Sequence, residues 1–169
     1  FDPAPDIPLQ MGTLSKAAGV YGAFLCASAP VIELMKNRAR SLVYTTGLPP
    51  SVVAAAIAAV DIISADTKRV ARPIALAKMF CKVVGLDTPK SPIVPMIVGA
   101  EVAALGASAA LEDAGFLVAP IRPPTVPAGT SRLRFTFTAE HTPAQVAALA
   151  AAVNALDLGR GSVLQIADG

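Results

Sequence analysis

At 169 residues the chain has the length of one ordinary domain, and with 54% apolar residues it can bury a core, which excludes a disordered segment. Its 14 basic and 12 acidic residues leave a net charge of +2, too balanced to mark a nucleic-acid partner. The most apolar stretches, Ser51 to Ile63 and Ile93 to Leu111, are broken by Asp61 and by Pro95, Gly99, Glu101 and Gly106, so neither reads as an uncharged span of about 20 residues and no membrane segment is expected.

The opening FDPAPDIPLQ holds three prolines in ten residues and begins without methionine, as the middle of a longer fold would. It has no basic end followed by an apolar segment and a cleavage site, so a cytoplasmic location is expected. Ile7 to Met11 and Val20 to Ala27 are predicted as short buried strands on either side of MGTLSKAAG. A helix follows over Pro30 to Ser41, with Pro30 in its first turn and Lys36, Arg38 and Arg40 towards the end that favours cations. The loop SLVYTTGLPPS presents two threonines and a glycine before a Pro-Pro pair. Pro50 to Ala65 is predicted helical, then Thr67 to Val84 as an amphipathic helix that Pro73 kinks or enters. SPIVPMIVG reads as a strand, Glu101 to Ala114 as a helix stopped by Gly115, and FLVAPI as a strand. A proline-rich return leads to RLRFTFTA, which alternates as a half-buried strand does, and Thr142 to Leu156 closes the pattern as a helix. The architecture expected from this order is α/β, with a small mixed sheet and helices packed on one face. The tail GRGSVLQIADG carries no assignment.

Few side chains carry chemistry. Cys26 and Cys81 lie far apart and form no C-x-x-C pair, so reduced core thiols are expected and no metal site. Lys16 stands among small neighbours, Gly12, Ala17, Ala18 and Gly19, which suit a loop that a flat ligand approaches closely. Thr13 adds a hydroxyl, but the phosphate-loop pattern Gly-x-x-x-x-Gly-Lys-Ser/Thr fails, because Ser-Lys-Ala stands in its place. Two readings of Lys16 stay open: a solvated loop charge, or a nucleophile and base whose pKa is lowered by desolvation and nearby positive charge. Arg132 and Arg134 alternate on one strand face, where a structural ion pair or carboxylate binding would explain them. His141, at the start of the last helix, reads as structural.

Together, MGTLSKAAGVYGAFLCAS, YTTGLPPS, SPIVPMIVG and IRPPTVPAGTSRLRFTFTAEHT resemble the α-oxoamine synthases, acyltransferases that use pyridoxal 5'-phosphate (PLP). The likeness runs from Ile7 to Leu158 and covers only the carboxyl-terminal part of such an enzyme. It implies the carboxyl-terminal portion of a fold-type I PLP-dependent transferase, with an α+β small domain. Residues 1–48 would end the cofactor-binding large domain, 49–158 would form the small domain, and 159–169 a tail. In that frame Lys16 matches the lysine that holds PLP and moves protons, and Thr13 the residue whose hydroxyl contacts the cofactor phosphate. Thr45 and Thr46 match the loop that reaches the neighbouring subunit's phosphate, which implies a homodimer.

Arg122 matches the arginine that receives a substrate carboxylate, with Thr125 beside it, and a planar fork of donors suits that task. The segment IRPPTVPAGT resembles the branch that condenses L-alanine with pimeloyl-CoA or pimeloyl-acyl carrier protein, releasing carbon dioxide. Other branches, which join glycine or serine to other acyl groups, remain alternatives, as does a non-catalytic α/β interaction module. Family members place an aspartate at the cofactor's pyridine nitrogen and a histidine over its ring, both from a portion preceding the lysine, so the chain alone is expected to be inactive.

Overall fold

The computed structural model describes residues 7–156 and residue 158. The tail sequence GRGSVLQIADG and the first six residues therefore lie outside the described residues. Contacts divide the chain into two compact units, residues 1–67 and 68–169.

In the amino-terminal unit, β1 (Leu9–Thr13) and β2 (Ala23–Ala27) pair antiparallel, in register from Leu9 opposite Ala27 to Thr13 opposite Ala23. Gly12 faces Phe24 across this ribbon, where an added Cβ would come within 2.5 Å of the ring. The gap that the small residue leaves is thus filled by the chain's own phenyl group. Next come α1 (Ala29–Arg38), α2 (Arg40–Val43) and α3 (Pro50–Ala65). The single helix predicted over Pro30 to Ser41 is two, because Ala39 leaves helical geometry with φ −74° and ψ 100°. The bounds of α3 follow the sequence closely, since Pro50 suits a first helical turn.

Burial differs from expectation in this unit. The two strands are apolar but not buried: Met11 is 71% exposed and Leu9 48%, and none of α1, α2 or α3 has a buried residue. A two-stranded ribbon supplies no second layer against itself, so its apolar faces stay open unless another layer covers them. Cys26 in β2 is likewise exposed rather than a core thiol.

The carboxyl-terminal unit holds the core. It runs α4 (Thr67–Val84), β3 (Ile93–Gly99), α5 (Glu101–Asp113), β4 (Ala119–Ile121), β5 (Ser131–Thr136) and α6 (Pro143–Ala155). The strand order is β3-β5-β4, and both pairings are antiparallel. The sheet expected to be mixed is therefore antiparallel in every hydrogen-bonded pair: β3 and β4 run the same way, as a strand-helix-strand unit requires, but β5 inserts between them. One face is apolar. Leu133 and Phe135 of β5 and Val94 and Met96 of β3 point into it, while Arg134 and Thr136 alternate outwards.

Helices cover that face. Leu76, Phe80 and Cys81 of α4, Ala107 and Leu111 of α5, and Val146, Ala150 and Val153 of α6 form one cluster with the sheet. Phe80 anchors it, its ring centroid 4.7 Å from Phe135 and 5.3 Å from Phe137. The helix α4 runs on through Pro73. At α6, Thr142 and Gln145 form a reciprocal cap, with Gln145 N donating to Thr142 Oγ1 (3.2 Å) and Thr142 N to Gln145 Oε1 (2.8 Å). His141 belongs to this entry: its Nδ1 accepts from Thr138 N at 3.1 Å, and its carbonyl accepts from Arg72. Burial, with the Asp87 charge adding to it, pushes the Cys81 thiol up to about 11. Among the described residues no single helix is long and apolar enough to cross a membrane.

Candidate active site

The residues singled out by chemistry fall into two groups, one in each unit. The first surrounds the turn between β1 and β2. Leu14 N donates to Gly22 O (2.9 Å), Val20 N to Leu14 O (3.0 Å), and Gly19 N to Lys16 O (3.0 Å), so the turn is closed by its own backbone. Gly19 and Gly22 sit at φ +66° and +132°, conformations that side chains disfavour, which explains why glycine stands at both. Lys16 projects from this turn. It is exposed, and its Nζ has no hydrogen-bond or ion-pair partner among the described residues. The desolvation expected around the amine is thus not supplied by the described residues, for the same reason that the ribbon's apolar faces are open.

Thr13 ends β1 three residues before the lysine, exposed and opposite Ala23. Thr45 and Thr46 lie in the exposed segment between α2 and α3, and Thr45 Oγ1 approaches Thr46 O at 3.4 Å. Chemically, this unit offers an uncommitted amine, able to condense with an aldehyde, and three hydroxyls able to donate to an anion.

The second group lies at one end of the three-stranded sheet. Arg122 follows β4 directly and opens the turn Arg122-Pro123-Pro124-Thr125, in which Thr125 N donates to Arg122 O at 3.0 Å and the Pro123-Pro124 bond is cis. The Thr125–Arg122 hydrogen bond joins the two residues that the family resemblance singled out here. The Arg122 guanidinium donates from Nη1 to Glu101 Oε1 at 2.9 Å, both side chains being about half exposed. Arg132, expected in an ion pair or on a carboxylate, instead turns back to the residue just before its strand, donating to Thr130 O and Oγ1.

Two members of this end were not legible in the sequence. Glu101 reads there as the first acid of a helix. Its pairing with Arg122 follows only once β3 and β4 are known to run the same way. Ser131 sits at the start of β5 opposite Gly99, where the β3 register shifts, and its hydroxyl is fully buried with no partner among the described residues. No local pattern announces that orphan. The opposite end of the sheet opens on a cavity of about 300 Å³ lined by Phe116, Phe135, Phe137, His141 and Leu149. Two of its polar members are already engaged, His141 Nδ1 by Thr138 N and Gln145 Oε1 in the α6 cap.

The class of the chain is shown by its sequence over nearly its whole length: it belongs to the aminotransferase class I and II family, whose model matches residues 2–153. That match takes in both Lys16 and Arg122. More particularly, the chain is 60% identical over 149 residues to the 8-amino-7-oxononanoate synthase of Methylocella silvestris, an alignment covering 88% of this chain and 43% of that protein. Among solved structures, the Sphingomonas wittichii serine palmitoyltransferase aligns with a TM-score of 0.82 at 29% identity, over 88% of this chain and 39% of that one. A high-resolution structure of SPT with PLP aligns with a TM-score of 0.79 at 33% identity, over 88% and 40%. The chain thus spans about two fifths of the length of the relatives it matches.

Proposed function

We propose that the chain is the carboxyl-terminal part of a PLP-dependent 8-amino-7-oxononanoate synthase, which condenses L-alanine with a pimeloyl thioester in biotin biosynthesis, with loss of carbon dioxide. The thioester would be pimeloyl-CoA or pimeloyl-acyl carrier protein, and the complete protein a cytoplasmic homodimer. Residues 1–48 would close the cofactor-binding domain and residues 49–158 form the small domain. One observation carries the reading: Lys16 presents an amine with no partner among the described residues on a turn closed by its own backbone hydrogen bonds and framed by glycines, which suits attachment to an aldehyde cofactor. The names borne by the curated relatives and the PLP in a solved neighbour support the choice of chemistry.

PLP, when bound, supplies the electron sink for charge developing at the amino-acid α-carbon. The chain's own residues would do the rest. Lys16 Nζ holds the cofactor and then carries a proton to and from the α-carbon. The Thr13 hydroxyl donates to the phosphate in the same subunit, and Thr45 and Thr46 donate to that of the partner. Arg122 orients a substrate carboxylate through paired hydrogen bonds, and Thr125, held to it by the turn, lines the same seat. Cover by the rest of the complete protein would exclude water from around the amine.

The test is borohydride reduction of the complete protein with PLP, followed by peptide mapping. A reduced adduct on Lys16 supports the reading, and its absence favours a non-catalytic module. Rates with alanine set against glycine and serine then distinguish this synthase from glycine acetyltransferase, aminolevulinate synthase and serine palmitoyltransferase.

A further inference from the structure

The seat of Arg122 is built by topology. β3 and β4 run parallel with β5 between them, and α5 connects them, so the amino end of α5 returns to the carboxyl ends of both strands. Gly99, at φ +95°, turns the chain out of β3, and Glu101 starts the helix two residues later. Ser108 Oγ donates to Val118 O at 2.7 Å, fixing α5 against the entry to β4. These constraints bring Glu101 beside the residue that follows β4, which is Arg122.

From this geometry we infer that Glu101 is the positioning residue for Arg122. The inference rests on the proposed reading that Arg122 receives a substrate carboxylate. Glu101 takes a single contact, Nη1 to Oε1 at 2.9 Å, and leaves the Nε–Nη2 edge of the fork without a partner among the described residues. That edge is the one that grips a carboxylate with two parallel hydrogen bonds. An arginine stem is long and rotamer-rich, so an acceptor that fixes one nitrogen selects the orientation in which the other edge faces outwards. A half-exposed ion pair adds little to stability, so stability alone does not account for the arrangement. Its value lies in holding the fork ready. The acceptor oxygen of Glu101 does this work, and its charge slightly opposes a second carboxylate on the same guanidinium.

The inference is tested in the complete holoenzyme with Glu101→Ala, Glu101→Gln, Arg122→Ala and the Glu101→Ala/Arg122→Ala double variant. For the substrate whose carboxylate Arg122 receives, Glu101→Ala raises KM about two- to fivefold with kcat little changed, the range that exposed ion pairs command. Glu101→Gln keeps the acceptor and restores KM to wild type or below. In the Arg122→Ala background Glu101→Ala changes nothing further. Separate titrations of L-alanine and of the pimeloyl thioester show which substrate responds, and calorimetric binding of L-alanine and of pimelate gives a readout free of turnover. An unchanged KM in Glu101→Ala, an equal rise without Arg122, or no Arg122-dependent binding of either probe overturns the inference. If Lys16 takes PLP while Glu101→Ala behaves as wild type, only this inference fails. If Lys16 takes none, the functional reading fails and calorimetry still decides the role of Glu101.

Discussion

The two units are both rich in apolar residues, yet only one of them buries any among its helices. Residues 68–169 lay three helices on one face of a three-stranded sheet and close a core around Phe80, Phe135 and Leu133. Residues 1–67 place Met11, Phe24, Leu25, Ile57 and Ile62 on strands and helices whose faces stay open. The difference teaches that hydrophobicity records a need for cover and not its presence. The residues proposed for the cofactor lie in the open unit, and the arginine proposed for a substrate carboxylate lies in the closed one.

The largest effect should come from the open unit. In the complete protein, Lys16→Ala is expected to lower kcat by about 10³-fold or more, because in the proposed reading proton transfer and cofactor attachment both depend on that amine. Steady-state rates check this, and a variant retaining wild-type turnover would remove catalysis from the amino-terminal unit altogether. For stability the order reverses. Phe80→Ala, at a fully buried position, should cost about 3–5 kcal/mol in denaturant unfolding, whereas Met11→Ala in this chain should stay within about 0.5 kcal/mol. Comparable costs at both sites would mean that the ribbon is covered after all.

A smaller effect comes from pH. The Cys81 thiol titrates at about 11 when folded against 9.0 as its ordinary value, so the folded state holds the proton more tightly. Its contribution is therefore full below pH 9 and is lost as pH rises towards 11, on the order of 2 kcal/mol in all. Alkaline unfolding curves of Cys81→Ala should be flatter over that window, though the variant starts from lower stability. Smallest is Thr142→Ala, which removes one half of the α6 cap and should cost about 1 kcal/mol, read as a drop in Tm.

Much of the fold was legible locally. Prolines and small residues bound α3 at Pro50 and α4 at Thr67, Gly115 stops α5 with φ +88°, and the alternation of RLRFTFTA marks β5 with its buried face. The Lys16 turn was legible from its glycines, whereas Arg122 and Thr125 were singled out through the family resemblance. The break at Ala39 was not, because alanine is the best helix former and only the backbone shows ψ at 100°. Nor was the turn of Arg132 onto Thr130, since side-chain direction at a strand start depends on what its neighbours leave free.

The sequence by itself determined the order and type of most helices and strands and which side of β5 is apolar, because these depend on backbone preferences and short-range periodicity. Tertiary structure decided that β5 lies between β3 and β4, that Glu101 meets Arg122, that Ser131 is buried with no partner among the described residues, and that the described residues leave the apolar ribbon before Lys16 exposed. Strand pairing and burial are contacts between residues far apart in the chain, and no local pattern fixes which surface a distant element will cover.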